Sequence, residues 1–162
     1  MFAPYRRGDL MQSERSKDRL RLWLKVLKAT RAVEAEIREN LRQDFATTLP
    51  RFDVMAALSR HPDGLKMSEL SGVLRVSNGN VTGIVERLVD DGHVRREKVP
   101  GDRRASRVLL TPEGLAEFGR QAAAHEGWID QMFDAVPEDA VHTLSEALEQ
   151  VAQRLDSEGS DT

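Results

Sequence analysis

The sequence predicts a mainly α-helical fold with one small β-hairpin, and three observations carry that prediction. Apolar residues recur at i, i+3 and i+4 over long stretches. The period changes to two only once, after Gly92. Pro and Gly punctuate the chain where those periods break. At 162 residues, 40% hydrophobic and 31% charged, the chain suits one domain with an added helical layer and wide solvated faces.

Residues 1–16 are polar and aperiodic and are expected to form a disordered arm. From Lys17 the pattern is helical: Trp23, Val26, Thr30, Val33, Ile37 and Leu41 make one stripe, and Leu20, Leu24 and Leu27 a second beside it. Two stripes imply a helix buried on two sides, against its own domain and against a partner subunit, ending near 44–48. Pro50 suits the first position of the next helix, with Phe52, Met55, Ala56 and Leu58 inward. His61-Pro62-Asp63-Gly64 reads as a turn, since Pro62 stops a helix and Gly64 accepts positive φ. A short helix follows over Met67–Leu74, then one capped by Ser77 that runs to about Asp91 and stops at Gly92.

Val94–Val99 and Ser106–Leu110 alternate as two strands, with Pro100–Ala105 as their turn. Thr111 caps the next helix, Pro112 opens it and Glu113 meets its positive end. Its apolar face is Leu115, Phe118, Ala122, Ile129, Met132 and Phe133, weakened by Gly119 and Gly127. Pro137 opens a last helix in which Val141, Leu144, Leu148, Val151 and Leu155 keep the spacing of a coiled-coil seam, before a polar tail.

Composition excludes several chemistries. There is no cysteine, hence no disulfide, thiolate nucleophile or Cys-based zinc site. His61, His93, His125 and His142 lack metal-ligand spacing, and neither a Gly-rich phosphate loop nor a nucleophile–base set is visible, so no enzyme, metal or cofactor is expected. No apolar run is long enough to span a bilayer and no secretory signal is visible, so a cytoplasmic protein without a membrane partner is expected. The net charge of −3 is unevenly spread: +4 over 1–65, +3 over 66–107 and −10 over 108–162. Val94–Arg107 alone holds six Lys/Arg against two acids.

The order of these elements is that of a winged helix-turn-helix with a helical dimerisation layer, an α/β winged helix in mainly α surroundings. A helix of this kind fits the major groove, about 12 Å wide, and its N-terminal residues reach base edges. Val81, Ile84, Val85 and Leu88 point inward, leaving Asn78, Gly79, Thr82, Gly83 and Glu86 outward, flanked by Asn80 and Arg87. Asn pairs with adenine through two atoms, and Thr meets a thymine methyl or a phosphate. Arginines on the hairpin suit the narrow minor groove, with Asp102 placed to brace Arg104.

The sequence resembles the MarR family of winged helix-turn-helix transcriptional regulators. The match lies in Met67–Leu70, Ser77–Leu88, Asp91–Arg96, Pro100–Arg104 and Val108–Gly114, where an Asp-x-Arg wing is followed by Leu-Thr-x-x-Gly. The resemblance implies a homodimer whose terminal helices, residues 17–48 and 112–156, interlock, above winged regions (50–111) that read a pseudo-palindromic operator in double-stranded DNA. It assigns Arg104 to the minor groove, with Asp102 as brace, and base and phosphate contacts to Ser77–Thr82, with Ser68 and Arg75 on backbone phosphate. Arg87, Arg103 and Arg107 complete the expected DNA-binding set with Asn78 and Asn80.

It also implies a repressor released by a small effector. Leu22-Trp23-Leu24, Ile37-Arg38 and Leu49–Met55 resemble the aromatic-acid, hydroxycinnamate subgroup, which points to an aromatic carboxylate or aryl-CoA thioester. Arg31 and Arg38 extend an apolar stripe of the first helix, where a guanidinium needs an anion, supplied by a partner-helix carboxylate or a ligand. Trp23, Phe52, Phe118, His125 and Trp128 are candidate ligand contacts or core. Leu20, Leu24, Leu144, Leu148, Val151 and Leu155 are the expected dimer interface. A winged-helix architectural DNA binder or protein-interaction module without an inducer is the alternative.

Overall fold

The computed structural model describes residues 7–99 and 102–159, and the side chains among them except those of residues 7–13, 78, 102–105, 158 and 159. Within these residues the order is α1 (Arg7–Phe45), α2 (Leu49–Ser59), β1 (Leu65–Lys66), α3 (Met67–Leu74), α4 (Asn78–Asp90), β2 (Val94–Val99), β3 (Asp102–Leu110), α5 (Pro112–Phe133) and α6 (Glu138–Gly159). The predicted class, mainly helical with a small antiparallel sheet, is the observed one. The chain divides between His125 and Glu126, inside α5, into two compact units.

The first unit is built around α2. Val54, Met55, Ala57 and Leu58 are buried together with Leu65, Leu70, Val81, Val85, Leu88, Val94 and Val108. Each of these side chains larger than Ala57 contributes about 1.5–3 kcal/mol by leaving water. Burial on several faces explains why a single stripe reading of α2 missed Val54 and Ala57. Thr48 takes the N-cap position and Pro50 stands one residue later than expected, where it still lacks only a donor the helix cannot use. The helix-turn-helix follows as expected, with α3 over Met67–Leu74 and Arg75 turning the chain in the left-handed region (φ 53°, ψ 39°). The Lys66 N–H donates to Glu69 Oε2 at 2.7 Å and fixes the start of α3. Ser77 occupies the N-cap of α4, but its hydroxyl forms no capping bond; its carbonyl accepts from Asn80 and Val81.

The sheet has three strands in the order β1-β3-β2. Strand β1 was not anticipated, because two residues are too few to show a period; Leu65 pairs with Val108 and Lys66 with Arg107. Strand β3 begins at Asp102, four residues before the expected Ser106, so most of the anticipated turn is strand. The pairing runs from Val94↔Leu110 to Val99↔Asp102, with a bulge between Lys98 and Val99. Gly64 holds φ +80° before β1, and a Cβ there would lie 2.6 Å from Leu109 Cγ.

Helix α1 begins at Arg7, inside the stretch expected to be a disordered arm, of which residues 1–6 lie outside the described residues. Good helix formers and same-helix ion pairs, Lys17–Glu14 at 3.2 Å and Arg21–Asp18 at 2.8 Å, sustain a helix without an apolar face. Ile37 and Leu41 are buried, but Leu20, Trp23 and Leu24 stay 54–57% exposed, so α1 is covered on one side and toward its C-terminal end within the chain.

In α5, Leu115 is exposed and Gln121 is buried in its place. The second unit holds the end of α5 and all of α6. Its Phe133, Val141, Leu144, Leu148, Val151 and Leu155 are all exposed, the last by 64%. No helix among the described residues is long and apolar enough to cross a membrane.

Candidate nucleic-acid interface

Helix α4 is fixed from beneath by Val81, Val85 and Leu88, all fully buried. Its opposite face presents Gly79, Asn80, Gly83, Glu86 and Arg87 to solvent, as the 3.6-residue period requires. Two glycines and no large side chain on the first two turns leave the helix backbone close to whatever docks there. Thr82 is half-buried and Asn78 lies outside the described side chains. Ser68 at the start of α3, Arg75 and Ser77 are exposed on the same helix-turn-helix.

On one flank of this face an open groove of about 530 Å³ separates α4 from the start of α2. Thr48, Pro50 and Arg51 line one wall, and Gly79, Asn80, Gly83, Ile84 and Arg87 the other. Arg51 is ion-paired with Asp91, the C-cap of α4, and so ties the first turn of α2 to the far end of the exposed helix. Sequence reading missed Arg51, because only the fold brings positions 51 and 91 together. On the other flank, Glu86 of α4 stands 4.0 Å from Arg96 of β2.

The hairpin carries the arginines. Strand alternation puts Arg95 and Glu97 on one face, with Arg107 directly across from Glu97 on β3. Arg95 pairs with Glu97, and Arg107 Nε lies 3.7 Å from Glu97 Oε2. Arg107, expected among the DNA contacts, is thus half-buried against a carboxylate. The backbone of Asp102, Arg103 and Arg104 is in β3 next to the hairpin tip, while the side chains on which the Asp102–Arg104 brace depends lie outside the described residues.

The base of the hairpin is locked by the Leu-Thr-x-x-Gly stretch. The Thr111 hydroxyl donates to the Gly92 carbonyl at 2.6 Å and accepts the Gly114 N–H at 2.9 Å. The Thr111 N–H donates to the His93 carbonyl at 3.0 Å. Gly114 is buried so tightly that a Cβ would sit 1.9 Å from the His93 carbonyl oxygen. One short segment thereby joins the end of α4, the start of β2 and the start of α5, which fixes the wing relative to the exposed helix.

Part of the predicted ligand set is also brought together. Phe52 stacks on His125 (centroids 5.0 Å, 28°) and packs on Phe118 (5.6 Å, 38°). Beside them Asp53, not singled out from sequence, has its carboxyl raised above the usual range by partial burial and by Glu34, with His125 and Arg38 opposing. Arg38 was expected on a partly buried face with a partner-helix carboxylate or a ligand; it is exposed and pairs with Glu34 of its own helix at 3.0 Å. Arg31 is also exposed, about 10 Å up α1 from Arg38 at 1.5 Å per residue, and Trp23 about 22 Å up. Trp128 is half-buried and belongs to the second unit. Among the described residues no group of His, Asp and Glu is arranged to hold a metal ion.

Residues 47–105, from just before α2 into the first half of β3, match the MarR family. A MarR family transcriptional regulator of solved structure from Silicibacter pomeroyi is 35% identical, with a TM-score of 0.74 over 87% of this chain and 97% of that one. Sco3205, a MarR family regulator from Streptomyces coelicolor solved in complex with DNA, is 26% identical, with a TM-score of 0.75 over 86% and 88% of the two chains. BadR, a transcriptional activatory protein of Rhodopseudomonas palustris, is 33% identical over 71% of this chain and 63% of its own length. Another curated relative is matched over 46% of its length. All are regulators of transcription. With a TM-score of 0.74 and 35% identity over nearly the whole of a solved relative, this chain belongs to the MarR family of winged-helix transcriptional regulators.

Proposed function

We propose that the chain is a homodimeric repressor that binds a pseudo-palindromic operator in double-stranded DNA and releases it on binding a small aromatic carboxylate or its CoA thioester. The observation that carries this reading is the small polar face of α4 set beside an arginine-rich hairpin and locked to it through Thr111 and Gly114. Residues 50–111 form the DNA-binding region. Asn78, Asn80 and Thr82 read bases, while Ser68, Arg75, Ser77 and Arg87 position the helix on phosphates. Arg103 and Arg104 carry the wing into the minor groove with Asp102 as brace. The likeness to Sco3205, solved with DNA, supports this assignment.

Residues 17–48 and 112–156 form the dimerisation region. Their support is the apolar surface left uncovered on α1 and α6: Leu20, Leu24, Leu144, Leu148, Val151 and Leu155, each at least half exposed. The effector site is built on Phe52, Phe118, His125 and Arg38, an aromatic cluster edged by a guanidinium. Trp23 and Arg31, exposed farther up α1, join it only through a partner subunit or a change of conformation. The protein acts on chromosomal DNA in the cytoplasm. Activation in place of repression is the second reading, favoured by the similarity to BadR.

The test is a binding titration on the DNA upstream of its own coding sequence, with and without aromatic acids and their CoA thioesters. Release by one compound is the expected result. Tight binding that none of them changes would remove the effector from the proposal and leave the regulator.

A further inference from the structure

Every wing arginine whose side chain is described has a carboxylate within 4.0 Å: Arg95 and Arg107 on Glu97, and Arg96 on Glu86. The six Lys/Arg of the hairpin therefore overstate its free positive charge. Glu97 is central. Its strand position places it opposite Arg107 and on the same face as Arg95, so one carboxylate lies between two guanidiniums, 32% exposed itself. The triad carries one net positive charge where two free arginines would carry two.

An arginine free on a flexible side chain gains from any phosphate, whatever the sequence beneath it. An arginine paired with a carboxylate on the hairpin is withheld from that attraction and leaves the reading of sequence to the recognition helix. We propose that Glu97 sets the sequence discrimination of the wing by holding Arg95 and Arg107 in this triad, which withholds their charge from indiscriminate attraction to DNA. The inference rests on the DNA-binding reading above and makes Glu97 a specificity-determining positioning residue.

Fluorescence anisotropy titrations of the full chain test it, with a duplex from upstream of its own coding sequence and a scrambled duplex of equal composition, each at several salt concentrations. Glu97→Gln is expected to tighten the scrambled duplex and steepen its salt dependence by about 0.9 in log–log slope, an extra loss of about 3.5-fold over a fourfold rise in salt. The upstream duplex gains less, so the ratio between the two falls. Adding Arg95→Gln to Glu97→Gln is expected to restore the ratio. Glu113→Gln, an exposed carboxylate on α5 with no ion pair to the wing among the described residues, is expected to leave it unchanged.

Arg95→Gln with Arg107→Gln examines the same point without touching Glu97: the ratio stays at the wild-type value if the arginines are already held. Equal shifts of both duplexes in Glu97→Gln, or a lower ratio in the paired arginine variant, would overturn the proposal. A wild-type protein with no preference between the duplexes would overturn the regulator reading with it, whereas a wild-type preference that Glu97→Gln leaves intact would overturn this inference alone.

Discussion

Gly114 and Gly119 lie on the same helix five residues apart, yet alanine at the two positions is expected to move stability in opposite directions. At Gly119 an added Cβ meets nothing within 4 Å, so Gly119→Ala gains up to about 1 kcal/mol from backbone entropy and helix propensity. At Gly114 the Cβ would lie 1.9 Å from the His93 carbonyl oxygen, and the carbonyl carbon and Cα are also within 3.0 Å. Ordinary C···O contacts are about 3.3 Å or longer, so α5 and the β2 entry must part by roughly 1.4 Å. The obstacle is backbone and cannot rotate away. Overpacking of this kind costs about 1–3 kcal/mol. The same separation strains the Thr111 bonds to Gly92 and Gly114, each worth about 0.5–1.5 kcal/mol net. These losses exceed the propensity gain, and Gly114→Ala is expected to lose about 1–3 kcal/mol overall. Urea denaturation read by circular dichroism, extrapolated linearly to water, measures both variants. If Gly114→Ala gained stability as Gly119→Ala does, the close approach that locks the wing would be refuted.

Three further outcomes follow from named residues. The raised pKa of Asp53 means that the folded state holds more protons than the unfolded one between the ordinary Asp value, about 3.9, and the raised value, so stability falls as pH rises through that window. Asp53→Asn is therefore expected to raise the urea midpoint at pH 7 and leave it unchanged at pH 3; no gain at pH 7 would show that the carboxylate there costs nothing. Leu148→Asp, in the middle of the exposed α6 stripe, is expected to give monomers by light scattering that no longer bind DNA, and a stable DNA-binding dimer would move the interface elsewhere. Arg104→Ala is expected to weaken operator binding by about 1–3 kcal/mol with the urea midpoint unchanged, and undiminished affinity would take the wing out of recognition.

The elements most legible in the sequence are those whose signals are local. Met67–Leu74 lies between the His61–Gly64 turn and the Ser77 cap, and α4 is set by Ser77 before it and Gly92 after it, so their limits are read to within a residue. What escaped has non-local causes. Strand β1 exists only because Leu65 meets Val108, and a two-residue strand has no period of its own. Helix α1 is the exception, with a local cause: it reaches back to Arg7 on helix propensity, which an apolar-stripe criterion does not see. The aromatic cluster was half visible: Phe52, Phe118 and His125 were all candidates, but neither their stacking nor the neighbouring Asp53 is written in any local spacing. The basic hairpin was visible as a charge run, while its internal neutralisation by Glu97 and Glu86 was not, because that depends on strand register and on the approach of β2 to α4.

The central claim is that the exposed face of α4 and the adjoining hairpin read a DNA sequence. A competition titration tests it most directly, with labelled duplex from upstream of the protein's own coding sequence displaced by the same duplex unlabelled or by scrambled DNA at physiological salt. A preference for the upstream sequence of about a thousandfold or more is predicted. Equal displacement by both, with a steep dependence on salt, would contradict the claim, since affinity would then come from phosphate attraction alone.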